Sequence, residues 1–128
     1  MPVLAELAAI VAAGVHVLFF VLESITFAQP RVAARFGLTT PEQVAAVRPM
    51  AFNQGFYNLF LAFGAIAGVA LVLFGAVREG RAIVLFACAC MVGAGVVLVL
   101  SSRRFARSAA IQALPPLVAI LLTLVAPG

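Results

Sequence analysis

Two ionisable side chains, His16 and Glu23, lie inside the first long apolar stretch of this chain and could exchange a proton. They are seven residues apart, which is two turns of an α-helix and places both on one helix face. An ionisable group in a membrane span is costly, so it usually faces a bundle interior or a wet cavity. His16 and Glu23 are therefore the candidates for a proton relay, or for a catalytic acid and base.

A second group of polar side chains opens the next apolar stretch, in the segment NQGFYN at residues 53–58. At 100° per residue, its four polar side chains fall within an arc of about 140° on one side of a helix. In the last apolar stretch, Gln112 precedes Pro115 and Pro116, which remove two backbone donors and leave two carbonyl groups as acceptors. The candidate ligand-binding residues are His16, Phe20, Glu23, Asn53, Gln54, Tyr57, Asn58 and Gln112.

Each candidate also has a structural interpretation. Glu23 could extend towards the membrane interface or pair with Arg103 or Arg104. His16 could be a neutral histidine that is hydrogen-bonded to another helix. Tyr57 could belong to an interfacial aromatic belt, although the chain has no Trp and no other Tyr. The proline pair could simply kink its helix.

The composition indicates that the solvent of this chain is lipid. Of 128 residues, 66% are hydrophobic and 9% are charged, whereas soluble domains are about half apolar and a quarter charged. The net charge of +4 is the balance of eight arginines and four glutamates. The arginines lie in short connections and form no basic face, so nucleic-acid binding is not expected. Cys88 and Cys90 lack redox CxxC spacing. One His and one Glu are too few for a zinc site, so neither a metal nor a cofactor is expected.

Four apolar stretches are long enough to cross a hydrocarbon core about 30 Å thick. Backbone groups in lipid must be satisfied within each stretch, so each should be a helix. Many small residues in these stretches favour close helix packing. The sequence therefore predicts an all-α integral membrane four-helix bundle, with residues 1–128 forming a single transmembrane domain. The predicted spans are about 4–28, 51–77, 82–101 and 108–126.

The arginines predict the orientation, because cytoplasmic loops collect positive charge. Six of the eight lie between spans one and two or between spans three and four, and two lie between spans two and three. Both termini should then face away from the cytoplasm. In the first loop, Thr40 and Gln43 fit a capping box. A short interfacial helix is expected to follow to about Val47, with Pro49 breaking it before the second span.

The helical rise predicts that most of these polar groups meet near the cytoplasmic side. Spans one, two and four all have an end there, so the groups lie about five to twelve ångströms from that entrance. His16 lies deeper. The predicted result is one polar pocket, built by three helices, with a histidine at its floor. The residues near the entrance are Glu23, Gln54, Tyr57, Asn58 and Gln112.

Several motifs resemble the small bacterial membrane proteins grouped as domain of unknown function 1304. The resemblance rests on His16 and Glu23, the FGL of residues 36–38, the NQGFYNLFLA of residues 53–62, and the Q-x-x-P that begins at Gln112. It implies a four-helix protein of the bacterial inner membrane and implies no activity. Members often carry an acid where this chain has Val15, so a mechanism with an acid beside His16 is not favoured.

Three functions are consistent with these patterns. The first is binding or transport of a small amphiphilic or lipid-like molecule, with the phenylalanines and polar groups as its pocket and with proton coupling. The second is a membrane enzyme that uses Glu23 or His16 as acid or base on a lipid-like substrate. The third is a structural or partner-binding membrane subunit. The expected partners are membrane lipids, the amphiphilic ligand and a second copy of the chain, because a through-path in so small a protein would require a homodimer.

Overall fold

The computed structural model describes residues 1–125, and all the regular structure in that range is helical. Four of its helical segments are long and apolar enough to cross a membrane. The last predicted span ends at about residue 126, which lies outside the described residues. The α-helices are α1 (Val3–Phe20), α2 (Pro30–Arg35), α3 (Pro41–Leu73), α4 (Val77–Ser101) and α5 (Ala106–Val125).

The first membrane-length segment changes its winding before it ends. After α1, a π-helical turn occupies Val21–Ile25, and the regular helix does not continue to residue 28 as the sequence predicted. The backbone N–H of Thr26 donates to the carbonyl of Val21 at 2.9 Å, which is the i to i+5 pattern of a π-helix. Glu23 therefore lies in a turn that sequence periodicity does not anticipate.

The first loop differs from its prediction in the position of its short helix and in the effect of Pro49. It contains a short helix, but this helix is α2, and the residues predicted to form a separate helix to Val47 are the start of α3. The prediction that Pro49 breaks the helix is wrong. Pro49 only removes the hydrogen bond to the Ala45 carbonyl, and both residues lie on an exposed part of the helix where another donor can replace it. With 33 residues, α3 is about 50 Å long, so it exceeds the hydrocarbon thickness.

The predicted capping box at the start of α3 is present. The backbone N–H of Gln43 donates to Thr40 Oγ1 at 3.2 Å, and Gln43 Oε1 accepts from the backbone N–H of Thr40 at 3.3 Å. The same side-chain oxygen accepts from the Thr39 N–H at 2.8 Å. These bonds satisfy backbone donors that have no partner within the helix and fix its first residue.

The chain divides into two compact units. The bundle unit contains Met1–Val15 and the chain from Leu61 onward, and the loop unit is His16–Phe60. The bundle unit packs all four membrane-length segments around small side chains. One cluster of buried residues takes members from every one of them, so the predicted all-α four-helix bundle is confirmed. That cluster contains Ala9, Val69, Val84, Cys88 and Ala119.

Glycines set the helix spacing in the bundle unit. A methyl group at Gly68 would lie 2.7 Å from Val84 Cγ2 and 2.9 Å from the Gly80 carbonyl oxygen, so α3 and α4 approach almost backbone to backbone. At Gly95 it would lie 2.7 Å from the Cβ of Ala113, on α5. The close packing that the small residues predicted is therefore found at specific positions.

Gly68→Ala is expected to lower the free energy of unfolding by about 1–3 kcal/mol, because the obstructing atoms include backbone and cannot move aside. The measurement is thermal unfolding of the full chain in detergent. The control is Gly93→Ala on α4, where the added methyl meets nothing within 4 Å and alanine is the better helix former. A Gly68→Ala protein as stable as the Gly93→Ala protein would contradict the backbone contact.

Candidate functional site

Glu23 is buried within the π-helical turn. Its relative exposure is 9%, and the turn places it between the regular helix α1 and the chain reversal that leads to α2. Thr26 closes the turn twice, since its hydroxyl also donates to the Val21 carbonyl, at 3.2 Å. Turns of this kind are rare and occur frequently at functional sites.

Asn58 of α3 is the hydrogen-bond partner of Glu23. Its side-chain Nδ2 donates to Glu23 Oε1 at 3.2 Å, and to the backbone carbonyl of Gln54 at 3.3 Å. Asn58 is as buried as Glu23, with 8% exposure. No arginine of residues 16–60 forms an ion pair with the carboxyl group. The pair therefore joins the first span to α3 through one neutral donor.

A close contact beside this pair explains how the two segments come together. A Cβ at Gly55 would overlap Ser24 Oγ and would lie 3.1 Å from the Ser24 backbone nitrogen. The Ser24 hydroxyl donates to the backbone carbonyl of Phe52 at 2.7 Å. The absence of a side chain at Gly55 therefore lets the π-helical turn pack directly on α3.

Aromatic rings pack on the other side of the same contact. The rings of Phe20 and Phe56 are 5.1 Å apart in an edge-to-face arrangement, and Phe56 also packs on Phe52 at 5.1 Å. On α3, Phe56 lies about 100° from Gly55 in one direction and Asn58 about 60° in the other. Phe20 therefore belongs to an aromatic cluster. This cluster and the Glu23–Asn58 pair lie on opposite sides of the Ser24–Gly55 contact.

The other polar residues of the NQGFYN segment lie on the surface of the described chain. Asn53 and Gln54 are exposed, and Tyr57 has a relative exposure of 57%. On the helix they continue the arc outward from Asn58, in the angular order Gln54, Tyr57, Asn53. The structure therefore brings one of the four polar side chains to Glu23 and leaves three as a polar strip that begins beside it.

His16 and Gln112 are both buried, in different units. His16 has no exposed surface, and its ring lies 6.5 Å from that of Phe19 in an edge-to-face arrangement. It precedes Glu23 by about 10 Å of helix rise. Gln112 belongs to the bundle unit, where its side chain lies next to Gly95 of α4.

Hydrogen bonding and proton exchange are the chemistry available at the Glu23–Asn58 pair. An ionised carboxyl group that accepts one hydrogen bond can accept about three more, and a protonated one can donate one. The amide oxygen of Asn58 is a further acceptor. Among residues 1–125, no group of three His, Cys, Asp or Glu residues is arranged to hold a metal ion. Both cysteines are free thiols, with Cys88 buried.

The family model described as a protein of unknown function, DUF1304, matches residues 10–124. The match covers almost the entire chain, including the π-helical turn and the NQGFYN segment. This chain belongs to the DUF1304 family. No curated protein and no solved structure matches it. Membership of DUF1304 assigns no activity, so the function has to be argued from the site.

One residue of this DUF1304 protein was not selected from the sequence. Ser24 is adjacent to Glu23 and makes the hydrogen bond that ties the π-helical turn to α3. The signal that could have indicated it is a pair of neighbouring polar residues near the end of a span, opposite a glycine in the next one. Serine commonly forms such interhelical bonds in membranes.

Gly55→Ala is expected to destabilise this DUF1304 protein by about 1–3 kcal/mol, because the new methyl overlaps the Ser24 hydroxyl. Ser24→Ala in the same chain removes that hydroxyl and should recover part of the loss. Thermal unfolding of both single variants and the double variant gives the coupling between the positions. Strictly additive effects would show that the two residues do not meet.

Proposed function

We propose that this multi-pass membrane protein binds a small amphiphilic molecule whose polar end forms hydrogen bonds with Glu23 and Asn58. The observation that carries the proposal is the buried hydrogen bond between these residues, at 3.2 Å, in a π-helical turn. An ionisable residue in a membrane span is by default a candidate functional residue. A carboxyl group that has only one amide donor keeps hydrogen-bonding capacity for a ligand.

The polar strip would provide a path along which a ligand reaches the Glu23–Asn58 pair. Gln54, Tyr57 and Asn53 are exposed on the described chain and lead round α3 to Asn58 without an apolar interruption. A ligand head could exchange one polar contact for the next along this strip, so it would never be fully desolvated. The proposed site therefore consists of Glu23 and Asn58, with the three exposed residues as its approach.

The other predicted residues have different parts in the proposal. Phe20 packs on Phe56 and holds the two segments together beside the polar pair. His16 is buried and precedes Glu23 by about 10 Å of helix rise. A proton-linked transport step would pass through its imidazole group. Gln112 belongs to the bundle unit and stays a predicted ligand-binding residue.

We place the protein in the bacterial inner membrane, with both termini on the non-cytoplasmic side. The bacterial inner membrane is what the resemblance to DUF1304 implies. The orientation is supported by the distribution of arginines, six on the predicted connections at one side and two at the other. In this orientation Glu23, Asn58 and the polar strip lie near the cytoplasmic face, which fits a ligand that is taken from or delivered to that side.

A structural lock is the second candidate, and the Ser24 hydrogen bond specifically favours it. Ser24 and Asn58 both donate to backbone carbonyl groups of α3, Ser24 across the contact and Asn58 within the helix. Interhelical hydrogen bonds in membranes contribute up to about 1–2 kcal/mol each. In this alternative, Glu23 is only an acceptor that completes the lock.

The test compares molecules that copurify with the chain from membranes in a mild detergent. Mass spectrometry of the extracts should find a small molecule retained by the original chain and reduced at least about tenfold in Glu23→Gln and in Asn58→Leu, since each removes a hydrogen bond to a charged or strongly polar group. The control is Glu79→Gln, the same change at an exposed glutamate of α4 outside the proposed site, which should keep the bound molecule.

Ligand retention and stability, taken together, separate the two candidates. If the pair is a ligand site, delipidated Glu23→Gln should unfold close to the temperature of the original chain, because Asn58 can still donate to the amide oxygen. If retention is unchanged in both variants while Asn58→Leu unfolds markedly earlier, the lock is correct and the binding proposal fails.

A further inference from the structure

A groove on the loop unit has neither Glu23 nor Asn58 in its lining and combines two kinds of wall. Its volume is about 480 Å³. One wall is apolar and belongs to the first membrane-length segment, with Leu18, Val21 and Leu22. The other is polar and belongs to the loop, with Gln29, Arg31 and Arg35. The groove therefore runs from membrane-spanning residues to residues beyond the span.

The polar wall carries positive charge and no compensating acid. Arg31 and Arg35 are four residues apart on α2, so both guanidinium groups stand on one side of that helix, and both residues are exposed. No glutamate lines the groove. Guanidinium groups bind phosphate oxygens through paired hydrogen bonds, and Gln29 adds a side-chain amide.

The apolar wall favours a phospholipid over a free phosphate ion. Leu18 is 53% exposed on the described chain, in a segment whose composition places it in the hydrocarbon region. A free phosphate ion would leave this wall uncovered, whereas an acyl chain would cover it. Basic residues just beyond the end of a span are a recognised setting for anionic lipid headgroups.

We propose that this groove is a binding site for one anionic phospholipid. The phosphate lies between Arg31 and Arg35, and an acyl chain lies along Leu18, Val21 and Leu22. Because α2 joins the first span to α3, the lipid anchors the loop unit at the membrane surface. The site is independent of the function proposed for Glu23 and Asn58.

The experiment counts bound lipid by native mass spectrometry on the full chain in an uncharged detergent. Phosphatidylglycerol and phosphatidylcholine with identical acyl chains are titrated separately. The original chain should retain one phosphatidylglycerol in preference to phosphatidylcholine. Arg31→Gln with Arg35→Gln should weaken that binding by roughly tenfold or more, since each arginine near an anionic headgroup contributes about a fivefold factor.

The matched control is Arg103→Gln with Arg104→Gln, which removes the same charge from the other arginine-rich connection and should leave the preference intact. Arg31→Lys with Arg35→Lys keeps the charge and should retain part of the binding, because the paired hydrogen bonds of the guanidinium groups are lost. An equal loss in the control pair would overturn the proposal, because it would show general attraction to basic loops. Displacement of the lipid by an equal concentration of inorganic phosphate would overturn it in favour of a free anion.

Discussion

The missing side chain at Gly55 is the constraint on which the candidate site depends. Any Cβ there would overlap the Ser24 hydroxyl, so only glycine allows the π-helical turn to rest directly on α3. That approach brings the Ser24 hydroxyl to the Phe52 carbonyl, and it sets Glu23 within hydrogen-bonding distance of Asn58. Lipid gives little hydrophobic drive to helix association, so such contacts must supply the attraction themselves.

Glycines also allow close approach of helices in the bundle unit, but there the contacts are apolar. Gly68 and Gly80 let α3 and α4 meet almost at the backbone, and Gly95 does so for α4 and α5. The side chains that fill these interfaces are mainly alanines, together with Cys88 and Met91. Dense packing of small apolar groups fixes the helices there, whereas in the loop unit polar groups perform part of that task. The two halves of α3 thus serve different chemistry although they form one continuous helix.

The sequence predicted those features that depend on composition or on local hydrogen bonding. The four spans follow from hydropathy, and the Thr40–Gln43 capping box follows from residue types at fixed spacing. The π-helical turn could not be predicted, because it adds a residue to one turn and depends on the chain reversal after it. The four polar side chains of residues 53–58 lie on one side of α3, as the helical angles predicted. Which of the four is buried depends on the segment that packs on Gly55. Pro49 was misjudged because a proline in an exposed part of a helix leaves a carbonyl that other donors can reach.

A buried carboxyl group has a high desolvation free energy, and other contacts already hold these two helical segments together. The Ser24 hydrogen bond and the Gly55 contact attach the π-helical turn to α3 without any ionisable side chain, and Phe20 adds a ring contact with Phe56. Removing Glu23 from water costs more than removing an amide, since its charged form must be desolvated or neutralised. Its bond to Asn58 returns only about what one interhelical hydrogen bond is worth. The free-energy balance favours a carboxyl group only if a property that an amide lacks is used, and the two such properties are stronger hydrogen-bond acceptance and exchange of a proton.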